Sequence, residues 1–199
     1  MSTVTAENRS AGGPAREGTA RERLLRAADE LFYAEGINTV GIDRVIEHAG
    51  VAKATLYSAF GSKDELIRAY LMRRHERRVA RIERHRARHE EPRARMLAVF
   101  DALHELITGP DWHGCPFLSA TGEARTDTTV KEVASITWDY TLACFVEDAT
   151  ALGVADPAEL AERLVVVYEG AVVATQVKND RAAAQRARSI AEMVIDAAV

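Results

Sequence analysis

Helix-start and helix-stop signals divide this chain from end to end, and no stretch alternates apolar and polar residues with the period of a β-strand. Thr19 and Ser62 are each followed three residues later by a glutamate, which is the pattern of an N-terminal capping box. Asp156 precedes a proline, and Gly36 follows an apolar helical stripe, as at a helix start and a helix stop. These signals predict an all-α protein.

Apolar residues recur at helical spacing between these signals. Helices are predicted between residues 19 and 36, 42 and 50, 53 and 60, 62 and 92, 96 and 107, 130 and 152, 156 and 177, and 181 and 198. A loop and a small-residue segment that ends near Glu123 lie between the fifth and the sixth of these helices. Residues 1–18 carry no apolar periodicity, and we expect them to form a flexible arm.

The charge of the chain is distributed unevenly along the sequence. The sum is −4, but residues 1–95 carry a net charge of +5 and residues 96–199 one of −9. A basic half followed by an acidic half is typical of a protein whose first half meets a polyanion. A chance imbalance between solvated surfaces is the alternative.

No segment predicts export, membrane insertion or a metal centre. The most apolar window, residues 164–174, has 11 residues, whereas a membrane span needs about 20. Cys115 and Cys144 form neither a disulfide framework nor a zinc-ligand spacing, and buried, inert thiols are favoured over redox sensors. We therefore expect a cytoplasmic protein that has no metal and no other cofactor.

The most specific signal lies between Thr39 and Leu66. Two short helices joined by a tight turn at Gly50 predict a helix-turn-helix unit, whose second helix can enter the major groove of DNA. At 100° per residue, the side chains of Leu56 and Phe60 on that second helix point inward. The opposite face of the same helix then points towards the groove.

The second helix presents two kinds of side chain to DNA. Ala54 and Ser58 face the floor of the groove, opposite the inward residues. Thr55 and Tyr57 fall on the two flanks, where a hydroxyl meets sugar-phosphate rather than a base edge. Because a methyl group suits thymine and a serine hydroxyl tolerates several bases, we expect phosphate positioning and DNA shape to supply much of the specificity.

Four further residues are candidates for phosphate contact. Lys53 and Lys63 stand at helix starts, where their charge adds to the exposed amides that attract phosphate. Thr39 is expected to cap the first of the two short helices and to point its hydroxyl at phosphate. Arg44 lies one turn into that helix and is a weaker candidate. A helix-turn-helix unit used only for packing is the alternative.

Residues 50–66, which read GVAKATLYSAFGSKDEL, closely resemble the DNA-binding signature of the TetR family of bacterial transcription regulators. Residues 36–38 and 42–46 resemble the same family's entry into its second helix. The resemblance is strong over about residues 19–66. In the rest of the chain it rests on the helical layout, on a loop at residues 114–117 and on residues 169–171 of the penultimate helix.

The resemblance implies three parts. They are a flexible N-terminal arm at residues 1–18, a three-helix helix-turn-helix DNA-binding domain at 19–66, and a helical effector-binding and dimerisation domain at 67–199. In such a protein the last two long helices pair with those of a second chain across a two-fold axis, and the fourth helix couples the two domains.

Apolar stripes on the last two helices support this pairing. The stripe on the penultimate helix consists of Leu160, Leu164, Val167, Tyr168, Ala171 and Thr175, and that on the last helix of Ala183, Ala187, Ile190 and Val194. Two such helices from each of two chains would form a four-helix interface. Packing of these stripes within one chain is the alternative.

The effector domain implied by the resemblance would enclose a ligand cavity. Its candidate lining residues are Phe100, His104, Trp112, Phe117, Thr121, Trp138, Phe145 and Tyr168. This lining suits a small, mainly apolar effector, although each residue alone also fits an ordinary core. The arginine-rich stretch 73–88 has three interpretations: a solvated helix face, a partner for the acidic half of the chain, or an accessory surface that attracts DNA.

These expectations describe a homodimeric, ligand-responsive repressor that binds a palindromic operator in double-stranded DNA. An effector that prefers the arrangement unable to bind DNA would weaken operator binding by its differential affinity for the two states. A regulator that is controlled by a protein partner, or that has no small-molecule effector, is the alternative. The sequence contains no nucleophile–base pair, paired carboxylates or phosphate loop, and so it predicts no enzyme.

Overall fold

The computed structural model describes residues 18–124, 126 and 128–199, and the predicted arm lies almost entirely outside them. Within these residues every regular element is a helix. The helices are α1 (Ala20–Glu35), α2 (Ile42–Ala49), α3 (Lys53–Phe60), α4 (Lys63–Arg86), α5 (Pro92–Thr108), α6 (Pro116–Glu123), α7 (Thr128–Leu152), α8 (Pro157–Lys178) and α9 (Ala183–Asp196). The all-α prediction is confirmed, and none of the helices in the described ranges is long and apolar enough to cross a membrane.

The predicted helix starts are formed by the expected side chains. The Thr19 hydroxyl accepts a hydrogen bond from the Glu22 amide at 3.2 Å, and the Glu22 carboxylate accepts one from the Thr19 amide at 2.7 Å. Ser62 accepts from the amide of Glu65 at 3.1 Å and so caps α4. Asp156 likewise accepts from the amide three residues on, at the start of α8. Each cap satisfies a backbone donor that the helix itself leaves free.

One helix is not evident from the sequence pattern. α6 occupies the small-residue segment that ends at Glu123, and it begins with Pro116 in its first turn. Proline fits that position because the first amides of a helix have no partner within the helix. The segment has only eight residues, and the periodicity of apolar side chains is weak over so short a stretch.

The first three helices pack against one another, and we call them the first domain. α1 packs against α2, α3 and α4. The buried side chains that α1, α2 and α3 contribute include Leu24, Ala28, Phe32, Val45, Leu56 and Phe60. Gly50 turns the chain between α2 and α3 with φ of 62°, a left-handed conformation that costs glycine little. This turn fixes the direction of α3 relative to α2.

The second half of the molecule packs around three aromatic rings. The ring of Phe100 on α5 lies 5.8 Å from that of Phe145 on α7 and 5.9 Å from that of Tyr168 on α8, measured between centroids. All three side chains are buried. α4 packs against α1 on the one hand and against α5 and α7 on the other, so it joins the two halves of the molecule.

The arginine-rich end of α4 is anchored by carboxylates of the acidic half. Arg86 is buried and donates hydrogen bonds to Asp148 at 3.0 Å, to Glu147 at 2.8 Å and to Glu83 at 2.9 Å. Arg95 Nε lies 2.9 Å from the second carboxylate oxygen of Asp148, which is fully buried. Three interpretations of stretch 73–88 were open. For Arg86, at the end of α4, the structure shows the second one: this arginine pairs with carboxylates of the acidic half of the same chain.

We predict that Asp148→Ala destabilises the protein by about 3–5 kcal/mol, because it leaves two guanidinium groups without their buried counter-charge. The free energy of unfolding, measured by urea denaturation at fixed protein concentration, tests this. The matched control is Asp196→Ala, which removes the partner of Arg93 in an exposed ion pair. The control should change stability little, and equal effects of the two variants would contradict the prediction.

Candidate nucleic-acid interface and effector cavity

The exposed face of α3 is the candidate nucleic-acid interface. Leu56 and Phe60 are buried against α1 and α4, which fixes the opposite face outward. On that face Ala54 and Ser58 are exposed, and the side chain of Tyr57 is 46% exposed. The structure therefore brings these three predicted contacts together on one face of one helix. Their contact with DNA stays a prediction.

The residues that are predicted to contact phosphate have different neighbours in the structure. The Lys53 ammonium donates to Asp43 of α2 at 2.9 Å, and this hydrogen bond raises the pKa of the lysine. Arg44 is paired with Glu35 at the end of α1. Lys63 lies at the start of α4 with its ammonium 6.0 Å from the ring of Phe32. Thr55 is half-buried on α3.

The predicted role of Thr39 as a helix cap is wrong. α2 begins at Ile42, and Gly41 occupies its N-cap position with an extended backbone. Thr39 lies in the preceding turn, exposed and too far along the chain to reach the first amides of α2. The cap positions of α2 and α3 are Gly41 and Ala52, and neither helix start has a side-chain cap.

Sequence reasoning did not predict the uncapped backbone amides at the starts of α2 and α3. The first amides of α2 and α3 have no side-chain acceptor in the described structure, whereas those of α1 and α4 do. Free amides and the helix dipole together attract anions. The sequence signal was the absence of Ser, Thr, Asp or Asn at positions 41 and 52.

A small cavity of about 70 Å³ lies at the centre of the molecule, between α1, α4, α5, α6 and α8. Of the predicted lining residues, Trp112, Phe117 and Tyr168 border it. A wider cleft of about 530 Å³ shares Tyr33, Leu106 and Trp112 with this cavity and opens towards the loop at residues 109–113. We call the two spaces the inner cavity and the outer cleft.

The other predicted lining residues lie elsewhere. Phe100 and Phe145 stack in the core with Tyr168 and border neither space. Thr121 and Trp138 border a third cavity of about 140 Å³, together with Phe117. The imidazole of His104 lies 3.4 Å from the Gln185 amide nitrogen of α9, outside all of these spaces. Their roles in ligand binding stay predictions.

Arginines of α4 form one wall of the inner cavity, which sequence reasoning missed. Arg74, Arg77, Arg78 and Arg81 all border it. Spacings of three and four residues place all four on one face of a helix, and that spacing was the signal in the sequence. The total charge of stretch 73–88 does not reveal it.

Two of these arginines tie α4 to α1. Arg74 Nε donates to the buried carboxylate of Asp29 at 2.5 Å, and an Arg77 nitrogen donates to its other oxygen at 2.7 Å. The Arg74 guanidinium also lies 3.7 Å from the ring centroid of Tyr33 on α1. We call this set the Asp29 clamp.

The loop that follows α5 is tied to α1 as well. The Tyr33 hydroxyl accepts a hydrogen bond from the His113 amide and donates one to the Gly114 carbonyl, both at 3.0 Å. Burial raises the pKa of this hydroxyl, so it remains a donor at neutral pH. The loop that borders the outer cleft is therefore held by a residue of the first domain.

A second link joins α6 to the first domain. The Glu123 carboxylate accepts from the Asn38 amide at 2.8 Å, and the Asn38 side chain donates to the Glu123 carbonyl at 2.8 Å. Gly36 has φ of 92°, and a Cβ added there would lie 2.6 Å from a carboxylate oxygen of Glu123. The positive φ favours glycine at this position, and an added Cβ would displace the end of the Glu123 side chain.

Both thiols are buried within the helical half. Burial raises the pKa of Cys115 and that of Cys144, which lowers the fraction of reactive thiolate. This is the setting of inert thiols that the sequence favoured. Across the described ranges, no three His, Cys, Asp or Glu side chains are grouped as metal ligands.

The apolar stripe of α8 was predicted to face a second chain, and this prediction is wrong. Leu160, Leu164, Tyr168 and most of its other members are buried within one chain, against α7 and α9. α8 is apolar on two faces, and sequence periodicity does not tell them apart. The apolar side chains that remain exposed on the last two helices are Val166, Val173 and Val177 of α8, and Ile190 and Met193 of α9. We call this set the exposed apolar stripe.

Two family descriptions match the chain. Residues 24–70 match the family described as "Bacterial regulatory proteins, tetR family", and residues 92–191 match "Tetracyclin repressor-like, C-terminal domain". The first match covers α2, α3 and the adjoining parts of α1 and α4. The second covers α5 to α8 and most of α9.

Two named proteins are similar to part of the chain. It is 34% identical over 106 residues to the HTH-type transcriptional activator FasR of Mycolicibacterium smegmatis, which is 51% of this chain and 48% of FasR. It is 34% identical over 61 residues to the HTH-type transcriptional regulator UidR of Escherichia coli K12, or 31% of each protein. The match thus spans half or less of these relatives.

Two solved structures are similar over nearly their whole length. One is a TetR-family transcriptional regulator from Streptomyces coelicolor, with 30% identity, a TM-score of 0.83, and coverage of 90% of this chain and 95% of that one. The other is a TetR regulator from Streptomyces avermitilis, with 31% identity, a TM-score of 0.78, and coverage of 91% and 98%.

We predict that Tyr33→Phe lowers the free energy of unfolding by about 1–2 kcal/mol, because the loop amide and carbonyl are both left without a partly buried partner. Amide hydrogen exchange at His113 should become faster in the same variant. Tyr57→Phe is the matched control, since it removes an exposed hydroxyl. Unchanged protection at His113 would show that the hydroxyl does not hold the loop.

Proposed function

The chain belongs to the TetR family of bacterial transcription regulators, which are DNA-binding proteins and not enzymes, and we propose that it is a ligand-responsive repressor that binds a palindromic operator as a homodimer. One observation carries the proposal. Buried Leu56 and Phe60 hold α3 so that Ala54, Tyr57 and Ser58 stand exposed together, as a helix that enters the major groove requires.

We propose that base contacts come from α3 alone. The Ala54 methyl would meet thymine methyl groups, and the Ser58 hydroxyl would meet base edges without demanding one base. Neither side chain can form the bidentate contacts that arginine or asparagine makes. DNA shape and phosphate positions would therefore contribute a large share of the sequence preference.

Phosphate contacts would surround this face. Thr55, Tyr57 and Thr39 would offer hydroxyls, and Lys53, Lys63 and Arg44 would offer charge. Lys53 and Arg44 now pair with carboxylates that are themselves partly or largely exposed. Exposed ion pairs of this kind contribute little stability, so both cations can turn to phosphate at small cost. The uncapped starts of α2 and α3 would add backbone donors.

The exposed apolar stripe supports a homodimer through α8 and α9. The side chains of Val166, Val177 and Met193 are 63%, 70% and 64% exposed in the single chain. Large apolar side chains grouped on one surface mark an interaction site. Two helices from each chain would then form a four-helix interface, and the two α3 helices would reach successive major grooves about 34–36 Å apart.

The inner cavity supports control by a small molecule. It is bordered by Tyr33 of α1, by residues of α4, and by the loop that Tyr33 holds. A ligand there would contact both domains of the chain. An effector that binds one arrangement of the domains more tightly would shift the population towards it and change operator affinity.

The direction of regulation is proposed from the family description. The C-terminal half matches a domain described as "Tetracyclin repressor-like", whereas FasR carries the name of an activator. Control by a protein partner, or by no effector at all, is the second candidate. In either case, no small molecule that binds in the inner cavity would alter operator binding.

The proposal is tested by selecting bound sequences from a random DNA pool and then titrating the selected site at two salt concentrations. A recovered palindrome bound by two chains, with an affinity that falls steeply as salt rises, is the expected result. A reporter gene placed behind that site would then show whether the protein lowers or raises expression. Failure to enrich any sequence would contradict operator binding.

We predict that Lys63→Ala weakens binding to the selected site and to random DNA by a similar factor. Because the lysine would neutralise one phosphate, the slope of log affinity against log salt should become shallower by about one unit. Tyr57→Phe should weaken both kinds of DNA without changing this slope. Lys131→Ala, an exposed lysine of α7, is the control for net charge. Equal salt slopes for the two lysine variants would argue against the phosphate contact.

We also predict that Met193→Glu and, separately, Val166→Glu shift the protein towards a monomer and weaken operator binding at least tenfold. A buried, unpaired carboxylate at a two-fold interface is costly in both chains at once. Molecular mass by light scattering and operator titration measure the two effects. Ala80→Glu, on an exposed position of α4, should leave both unchanged. A dimer that persists in both stripe variants would place the interface elsewhere.

A further inference from the structure

The inner cavity has more positive charge than the carboxylates around it can balance. Arg74 and Arg77 share the single carboxylate of Asp29, and Arg78 donates to Glu169 at 3.0 Å. In the residues that the structure describes, the Arg81 side chain has no hydrogen bond and no ion pair. Four guanidinium groups thus meet two carboxylates on this wall.

Burial makes the excess charge costly. Arg81 is partly buried, and this burial lowers its pKa, as expected of a cation that leaves water without a counter-ion. The neighbouring Glu105 attracts it but does not pair with it, because hydrogen bonds from Arg84 and His85 engage that carboxylate and lower its pKa to about 2. A negatively charged group in the cavity would remove this cost.

Arg78 is a second arginine on this wall whose hydrogen-bonding groups are not all satisfied. Its side chain is only 9% exposed, and one of its terminal nitrogens donates to Glu169. Its Nε is buried and has no hydrogen-bond partner among the described residues. Buried donors in folded proteins are almost always paired. Arg78 borders both the inner cavity and the third cavity, and an acceptor in the inner cavity that reached this donor would satisfy it. Arg81 lies one helical turn further along the same face.

The rest of the lining is mostly apolar, apart from Tyr33, Cys115 and Tyr168. Leu103, Leu106, Trp112, Phe117 and Val172 border the inner cavity opposite the arginines. The cavity volume of about 70 Å³ equals roughly two water molecules in the liquid, which is enough for a carboxylate group but not for an aromatic ring. The body of a larger ligand would therefore extend into the outer cleft, along Leu106 and Trp112, which border both spaces.

The rim of the outer cleft limits the charge of the ligand. Glu30, Glu105 and Asp111 border the cleft, in addition to the clamped Asp29. Arg74, Arg77 and Arg81 border the cleft as well, so a second negative charge is repelled only where the body of the ligand lies beside Glu30 and Asp111 rather than beside these arginines. A ligand with one negative charge at one end and an apolar body fits both spaces.

Building on the proposed function, we propose that the effector is a small organic monocarboxylate. Its carboxylate is held in the inner cavity by Arg78 and Arg81, and its apolar body lies in the outer cleft against Leu106 and Trp112. This differs from the mainly apolar effector that the sequence predicted. The ligand also lies beside Arg74 and Arg77, so its charge competes with Asp29 for them and loosens the contact between α1 and α4.

The test uses the intrinsic fluorescence of Trp112. The chain has two tryptophans, and Trp138 does not border the inner cavity or the outer cleft, so Trp138→Phe leaves Trp112 as the single reporter. The probes are benzoate, phenylacetate, 3-phenylpropanoate and octanoate, each paired with its neutral amide. Inorganic phosphate is the control for a bare anion. Melting temperature is followed in parallel.

Binding of at least one carboxylate, at least tenfold tighter than its amide, is the expected result, because charged hydrogen bonds are the stronger kind. Arg81→Gln should remove this preference, whereas Arg88→Gln, an exposed arginine beyond α4 with the same charge change, should keep it. Equal binding of acid and amide, an unaffected Arg81→Gln variant, or no binding by any of the four carboxylates would each overturn the inference.

Operator binding separates this inference from the function on which it rests. A protein that binds its selected operator but none of the probes remains a DNA-binding regulator and has a different ligand. A protein that binds a carboxylate but enriches no DNA sequence fails the proposed function and keeps the ligand site. Release of the operator by the carboxylate, but not by its amide, would support both.

Discussion

The interaction on which both halves of the molecule depend is the pairing of one buried carboxylate with two guanidinium groups. Asp29 lies on α1, and Arg74 and Arg77 reach it from α4. Neither charge could be buried alone, since an unpaired ion in a protein interior is far less stable than one in water. Because α4 also packs against α5 and α7, this set of ion pairs fixes the position of the DNA-binding unit together with the Tyr33 and Asn38 hydrogen bonds.

The same helix contacts α7 and α8 through its other arginines. Arg78 reaches Glu169 of α8, and Arg86 reaches Asp148 of α7. A single 24-residue helix therefore contacts the DNA-binding unit near its start, borders a cavity in its middle, and is held by buried acids at its end. A small molecule that binds beside the middle of α4 would therefore alter the contact between α4 and the DNA-binding unit.

Local signals in the sequence predicted most of the fold, and contacts between distant residues account for what they missed. The caps at Thr19, Ser62 and Asp156 act within one helical turn, so their pattern is visible in the sequence. The face of α3 was also predictable, because two large apolar residues suffice to orient eight residues. By contrast, the sequence did not show which acid each arginine meets, since those partners lie up to 103 residues away. Nor did it show which apolar face of α8 is buried.

The close approach at Gly36 ties two distant positions of the sequence to each other. A side chain at position 36 would collide with the carboxylate of Glu123, and the positive φ there is strained for any residue but glycine. During evolution the two positions are therefore not free to drift separately. A side chain at position 36 would displace the Glu123 carboxylate, whose hydrogen bond with the Asn38 amide is part of the link between α6 and the DNA-binding unit. Covariation of these two positions among relatives would trace where that link has been kept.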